Sequence, residues 1–150
     1  MRLRDYFEPS AISLELSGRT KDEVLAELVA LLGVDERARS VILRLVQRRE
    51  QLGSTGIGRG VAVPHCRSLA VNRLRLAFGR HPTGVEFQSI DQRPVTSLFL
   101  IVAPPSEVAN QYLTVLARIA HLAKDPEVLE RLRRLTSIDD FFALLDQKAA

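Results

Sequence analysis

The chain has one cysteine, one methionine and no tryptophan, and aromatic residues make up only 5% of its 150 positions. With Cys66 alone, no internal disulfide or cysteine-based zinc site can be built, which leaves that thiol an intermolecular or reactive role or a buried one. Long apolar runs are also missing. None approaches the ~20 residues a membrane span needs, and the opening Met1-Arg2-Leu3-Arg4-Asp5 lacks the apolar core of a signal peptide. A cytoplasmic protein without membrane insertion is expected, and no motif calls for a cofactor or a metal.

What is present suffices for a fold. An apolar content of 46% beside 26% charge offers enough hydrophobic surface to offset the entropy of ordering. The length matches one domain, residues 1–150. Lys+Arg number 21 against 18 Asp+Glu, a net charge of +3, and the basic residues are almost all arginine. Arginine grips carboxylates and phosphates in a planar fork, so nucleic acid and phosphorylated partners are both open on charge alone. The Arg131, Arg133 and Arg134 cluster comes without a helix-turn-helix placement or interleaved aromatics, so it reads as a solvated helix face and no nucleic-acid partner is expected.

Residues 11–16 alternate apolar and polar, as in a half-buried strand closed by Ser17-Gly18. Thr20 and Glu23 have capping-box spacing ahead of Val24, Leu25, Leu28 and Val29 at helical intervals, with Gly33 as the stop. A second helix is expected from Asp35 to near Gly53, with Ala38, Val41, Ile42, Leu45 and Val46 inward. Strands are expected at 74–78 and 95–102, the latter central because its run Leu98 to Val102 is continuously apolar. Ser106 is placed to cap a helix carrying Val108, Tyr112, Val115, Leu116, Ile119 and Leu122. Asp125-Pro126 opens another helix and Ser137 a last one with Phe141, Phe142, Leu144 and Leu145. Helices at both ends and strands between them predict an α/β domain, a sandwich with a central mixed sheet flanked by helices.

Half of the glycines fall in Gly53-Ser54-Thr55-Gly56-Ile57-Gly58-Arg59-Gly60. A P-loop is excluded because Arg59 and Gly60 stand where lysine and a hydroxyl residue are required. A dinucleotide fingerprint fails because G-x-G-x-G opens a β-type run rather than a helix. A nucleophile elbow fails because Gly53-Ser54-Thr55-Gly56 is one residue too short. The segment does supply a backbone free to take positive φ and the hydroxyls of Ser54 and Thr55. It leads through Val61-Ala62-Val63-Pro64 into His65, at the end of a short strand. An imidazole there is a candidate nucleophile, since its ordinary pKa of about 6.5 leaves a neutral nitrogen at pH 7; a structural histidine at a strand end is the alternative. His81, before Pro82 in a turn, and His121, on a polar helix side, read as solvated surface residues.

Arg49-Glu50 followed by Gly53-Ser54-Thr55-Gly56-Ile57-Gly58-x-Gly60-Val61-Ala62-Val63-Pro64-His65 resembles the active-site segment of the type-2 EIIA domains of the bacterial phosphoenolpyruvate-dependent phosphotransferase system. The nitrogen-regulatory branch, PtsN, is the nearest. The likeness extends through Phe87–Ile90, Pro94-Val95, Val102-Ala103-Pro104 and Leu122-Ala123, about the whole chain. It implies that His65 accepts phosphate from the phosphohistidine of a small carrier, HPr or the nitrogen-branch NPr. Arg49, matching the motif arginine, would stabilise the phosphoryl oxygens; a solvated charge at a helix C-terminus is its other reading. Ser54 and Thr55 would donate to those oxygens or pin the turn, and backbone N–H groups around Gly58 and Gly60 would assist.

Two positions depart from the family. Tyr112 stands where a second histidine is usual, and a phenol cannot become cationic beside a phosphate. Cys66 stands where glycine is more frequent. The function implied is that of a phosphorylatable regulator acting on target proteins. The alternatives are a sugar-specific EIIA of fructose or mannitol type passing phosphate to EIIB, and a phosphotransfer-impaired protein-binding module.

Overall fold

The computed structural model describes residues 2–105 and 111–149. A short 3-10 turn, Leu3–Tyr6, leads into β1 (Phe7–Ser13), α1 (Lys21–Ala30) and α2 (Glu36–Leu52). Four strands follow in close succession: β2 (Gly56–Gly58), β3 (Val61–Ala62), β4 (His65–Arg67) and β5 (Arg75–Val85). The chain closes with β6 (Val95–Ala103), α3 (Gln111–Leu122), α4 (Pro126–Arg133) and α5 (Ile138–Lys148). Ser106 and Val108, assigned from sequence to the start of α3, lie outside the described residues.

The strands form one mixed sheet ordered β1-β5-β6-β3-β2, with β4 also on β6. β6 runs antiparallel to β5 and parallel to β3 and β4. Its apolar run serves both faces with period two. Phe99, Ile101 and Ala103 enter a core with Phe78, Val115, Ile119 and Phe141 beneath α3, α4 and α5, whereas Leu98, Leu100 and Val102 join Leu25, Leu28, Ile42 and Val46 beneath α1 and α2. The expected sandwich and the central place of β6 are both found.

The caps match their sequence signals. Thr20 accepts from the Glu23 N–H, Asp35 from Ala38, Asp125 from Glu127 and Ser137 from Asp140. Each satisfies an N-terminal donor that the helix cannot pair internally.

Beside Val41, expected inward on α2 but 40% exposed, three sequence expectations need correction. The first strand lies at Phe7–Ser13 rather than 11–16 and contains Pro9. It is an edge strand whose register shifts between Phe7 and Ile12, so the missing proline N–H falls in an irregular stretch. β5 continues to Val85, through Pro82, and its register against β6 likewise breaks between Arg80 and Val85. His81 is therefore not a surface turn residue. It is 8% exposed, its Nε2 donates to Gly18 O at 2.8 Å, and its Nδ1 accepts from Gly84 N at 3.0 Å. The third correction concerns His65, which opens β4 rather than closing the preceding strand.

Candidate functional site

The site begins with a carboxylate on the wrong face of a helix. Glu50 continues the inward stripe of Ile42 and Val46 along α2 and is only 6% exposed. An unpaired charge there is costly, so one cation pairs with it and a neighbouring residue satisfies its oxygens by hydrogen bonds. Lys21 Nζ lies 2.8 Å from Oε1 and rests over the Phe87 ring, while the Thr55 backbone N–H donates to Oε1 at 3.0 Å. The Thr55 hydroxyl donates to Oε2.

From Thr55 the connections run on to the histidine. Val63 N donates to Thr55 O at 3.0 Å, and His65 Nδ1 lies 2.7 Å from Val63 O. A carbonyl only accepts, so Nδ1 carries the proton and the neutral ring keeps its lone pair on Nε2. Pro64 interrupts the edge at this point. β3 pairs with β6 as far as Ala62↔Leu98, and β4 resumes with His65↔Ile101.

The His65 pKa is lowered from its ordinary value. Burial is the main cause, opposed by the hydrogen bond to Val63 O; the Arg49 charge lowers it further and Glu50 acts in the opposite sense. At pH 7 the ring is neutral and nucleophilic.

His65 faces a cleft of about 360 Å³ between the C-terminal half of α2, β4 and the start of α3, lined also by Leu45, Arg48, Arg49, Leu52, Cys66, Arg67 and Tyr112. Three guanidinium groups and no carboxylate line it. Arg49 is anchored by a bond from Nη1 to Gly53 O at 2.9 Å, just beyond the helix end. Arg67 donates to Pro104 O at 3.2 Å and stacks 4.6 Å over the Tyr112 ring. That ring lies edge-on to His65, with centroids 5.8 Å apart. Burial pushes the Tyr112 phenol up to about 12, so it is protonated at neutral pH. Burial also pushes the Cys66 thiol up to about 12, which removes the thiolate that reactivity requires.

Of the residues singled out from sequence, Arg49, His65, Cys66 and Tyr112 line this cleft, and Ser54, Thr55, Gly58 and Gly60 stand outside its lining. Ser54 Oγ donates to Phe87 O at 2.6 Å and accepts from Gly56 N, so its hydroxyl holds the turn. Thr55 is buried on Glu50. Gly58 and Gly60, at φ +97° and +81°, form with Arg59 at +57° a left-handed turn between β2 and β3. Arg59 itself lies against Lys124 O beside a separate groove.

Sequence reasoning passed over the roles of Lys21 and Glu50. The position of Glu50 on the Ile42–Val46 stripe was the available signal; for Lys21 there was none. Among the described residues no cluster of three or more His, Cys, Asp or Glu is arranged to hold a metal, and no helix is long and apolar enough to cross a membrane.

The sequence matches the family described as "Phosphoenolpyruvate-dependent sugar phosphotransferase system, EIIA 2" over residues 5–148. It is 34% identical to a nitrogen regulatory protein of Bradyrhizobium diazoefficiens, across 97% of this chain and 95% of that one. The fold is similar to the nitrogen regulatory protein IIA-Ntr of Neisseria meningitidis, with a TM-score of 0.86 at 28% identity, covering 94% of this chain and 97% of that one. It is also similar, with a TM-score of 0.77 at 25% identity over 94% and 99% of the two chains, to a structure from a complex of enzyme IIA mannitol and phosphorylated enzyme IIB mannitol from Escherichia coli. With a family match over nearly its full length and nitrogen regulatory proteins among its relatives, the chain belongs to the type-2 EIIA family of the phosphoenolpyruvate-dependent phosphotransferase system.

Proposed function

We propose that this protein is a cytoplasmic phosphoacceptor of nitrogen-regulatory type, taking a phosphoryl group onto His65 Nε2 from the phosphohistidine of an HPr- or NPr-like carrier. The observation that carries the reading is the neutral imidazole of His65. Its Nδ1–H is committed to Val63 O, and it opens on a cleft lined by Arg48, Arg49 and Arg67.

The Nε2 lone pair attacks phosphorus in line as the carrier's P–N bond breaks. The electron pair of that bond returns to the carrier's ring nitrogen. His65 keeps its Nδ1 proton, so the phosphorylated ring is cationic, and Val63 O holds that charge. A carrier ring protonated on its second nitrogen leaves as neutral imidazole, so no further proton moves. Such a transfer asks for alignment and for cations near the equatorial oxygens. That Arg49 and Arg67 line the His65 cleft, each held by a backbone carbonyl, supports such a role for them. The modified state adds roughly two negative charges to a basic cleft, which alters its affinity for target proteins.

Incubation with phosphoenolpyruvate, enzyme I and the carrier tests this directly. Acid-labile label on the wild type and none on His65→Ala is the expected result; an unlabelled wild type, or label that survives His65→Ala, rejects it.

A second reading follows from the likeness to the mannitol IIA structure, in which the same phosphohistidine passes its group to an EIIB-like protein. Chasing the labelled protein with candidate EIIB proteins separates the two, since a regulator retains its label.

A further inference from the structure

Among the described residues, those other than glycine with a left-handed backbone are Arg59 at φ +57°, Gln88 at +56° and Gln92 at +61°. All lie at one corner of the molecule, in the β2–β3 turn and in the loop 88–92 that buttresses it. Side chains are strained in that conformation, and such strain persists only where the surroundings hold it. Here the two segments hold each other. Ile90 N donates to Gly56 O at 3.2 Å, and the Asp91 carboxylate accepts from Arg59 N at 2.8 Å and from Arg93 N at 3.1 Å. Within the loop, Gln88 N donates to Glu86 Oε1 and Gln92 N to Ser89 O.

The corner displays apolar side chains. Ile90 is 82% exposed and lies beside Gly58, and Ile57 is 42% exposed. With Ala120 and Ala123 at the C-terminal end of α3, Ile57 makes the apolar wall of a groove of about 280 Å³. Arg59 and Lys124 supply its charge, and no carboxylate lines it. Arg59 gives one N–H to Lys124 O at 3.2 Å, which leaves part of its donor fork for a ligand. The nearby acids are engaged elsewhere. Asp91 holds two backbone N–H groups, and Asp125 caps Glu127 N and pairs with Lys148. Among the described residues no ion pair engages Arg59 or Lys124. The groove is apart from the His65 cleft, yet the segment carrying Ile57 also seats the histidine: Thr55 O accepts from Val63 N, and Val63 O from His65 Nδ1.

The geometry points to a docking face for an acidic protein segment, with an aliphatic side chain of that segment against Ile57 and Ile90 and its carboxylates on Arg59 and Lys124. That the segment belongs to a protein regulated by this one rests on the regulatory reading of the function. Charge selects the acidic partner. A second copy of this chain is disfavoured, because a two-fold contact sets the same cations against each other. A nucleic acid is disfavoured because the groove has no aromatic ring on which a base could stack. The mutually braced loops favour binding, since a surface already ordered loses little freedom when occupied. Separation from the cleft lets this partner and the phosphocarrier occupy the protein together.

The test selects displayed random peptides on the unphosphorylated full chain and measures the recovered peptides by fluorescence polarisation. The expected peptides carry Asp or Glu around Leu, Ile or Val, and excess HPr- or NPr-like carrier does not displace them. Ile90→Ser and Lys124→Gln, both at exposed positions, each weaken binding by ~10-fold. Exchanging the peptide's acids for amides weakens it comparably. His65→Ala binds the peptide as the wild type does, and the two surface variants accept label on His65 at the wild-type rate. Phosphorylated on His65, the protein binds the peptide more weakly by ~5-fold or more, because the added negative charge opposes an acidic partner and acts on the segment through Val63 and Thr55.

Failure to recover peptides, peptides without acidic residues, displacement by the carrier, or affinity unchanged in both surface variants overturns the docking face and leaves the phosphoacceptor reading standing. Binding in the expected pattern by a protein that takes no label keeps the docking face and rejects the phosphoacceptor reading. An affinity indifferent to phosphate on His65 overturns the assignment of the segment to a regulated protein. Self-association abolished by Ile90→Ser, or displacement of the peptide by duplex DNA, gives the face to another occupant and overturns the proposal.

Discussion

At the scale of single residues, His65 and His81 show how little a residue type says without its partners. Both are withdrawn from water, yet His65 donates through Nδ1 and His81 through Nε2, so only His65 turns its lone pair to a cleft. Burial lowers the His65 pKa, so protons bind the unfolded chain more readily than the native one between that lowered value and the ordinary pKa of about 6.5. His65 therefore contributes stability that is fully present above about pH 6.5 and is lost as the pH falls through its native pKa. The rate of phosphoryl acceptance falls over the same descent, with an apparent pKa below 6.5, as a pH–rate series of initial labelling measures. Tyr112 supplies a second prediction. Its ring fills the space between His65 and Arg67 but offers no cation, so Tyr112→His, with an imidazole able to carry charge beside the phosphate, speeds transfer by about tenfold, the effect of roughly 1.4 kcal/mol. A rate unchanged in a folded Tyr112→His variant contradicts that role. The sequence offered His65 as a candidate from its place after the glycine segment and Pro64, and Arg49 only through the resemblance to the family's motif; the structure brings the two to one cleft. The surroundings of His81 were not legible, since Pro82 reads as a turn until the break in the β5–β6 register is seen.

At the scale of elements, the segment between α2 and β4 is held from below by a buried ion pair and from the side by close packing. Lys21→Met leaves the Glu50 carboxylate buried without its cation, and loss of one partner of such a pair costs about 3 kcal/mol. A lower urea midpoint with an unchanged slope measures it. Glu50→Gln keeps an oxygen for the Thr55 N–H and spares more stability, yet it disturbs the series from Thr55 through Val63 to His65. Its distinguishing readout is the nitrogen NMR signature of the His65 tautomer, which shifts toward a mixed population if Glu50 positions the ring and stays fixed if Glu50 serves stability alone. Gly56 is the tight point of the segment, because a Cβ there lies 2.2 Å from Ser89 Oγ and 3.0 Å from Ser89 Cα. Gly56→Ala lowers stability by about 1–3 kcal/mol in the same unfolding measurement. The helices were readable because caps and 3.6-residue stripes are local signals. The extents of β1 and β5 were misjudged because Pro9 and Pro82 sit where pairing is irregular, and irregular pairing depends on a neighbour remote in sequence.

At the scale of the whole molecule, two helical layers enclose a sheet whose central strand is apolar on both faces, and His65 sits beside that central strand. β4 is registered on β6 from His65↔Ile101 to Arg67↔Ala103, so the position of the imidazole is fixed by the best-buried strand of the fold. α2 approaches from one side with Arg48 and Arg49, and α3 from the other with Tyr112. Three of the arginines, Arg48, Arg49 and Arg67, line one cleft, while Arg131, Arg133 and Arg134 remain on α4 and its end, away from the cleft lining. The central claim is that this arrangement presents the neutral Nε2 of His65 to a phosphoryl donor. Phosphorus and nitrogen NMR of the protein labelled by phosphoenolpyruvate, enzyme I and the carrier tests it most directly. The account predicts one phosphoryl group on His65 Nε2 with the Nδ1 proton retained, and its absence from His65→Ala. Phosphate on Nδ1, on another residue, or nowhere in the folded protein contradicts it.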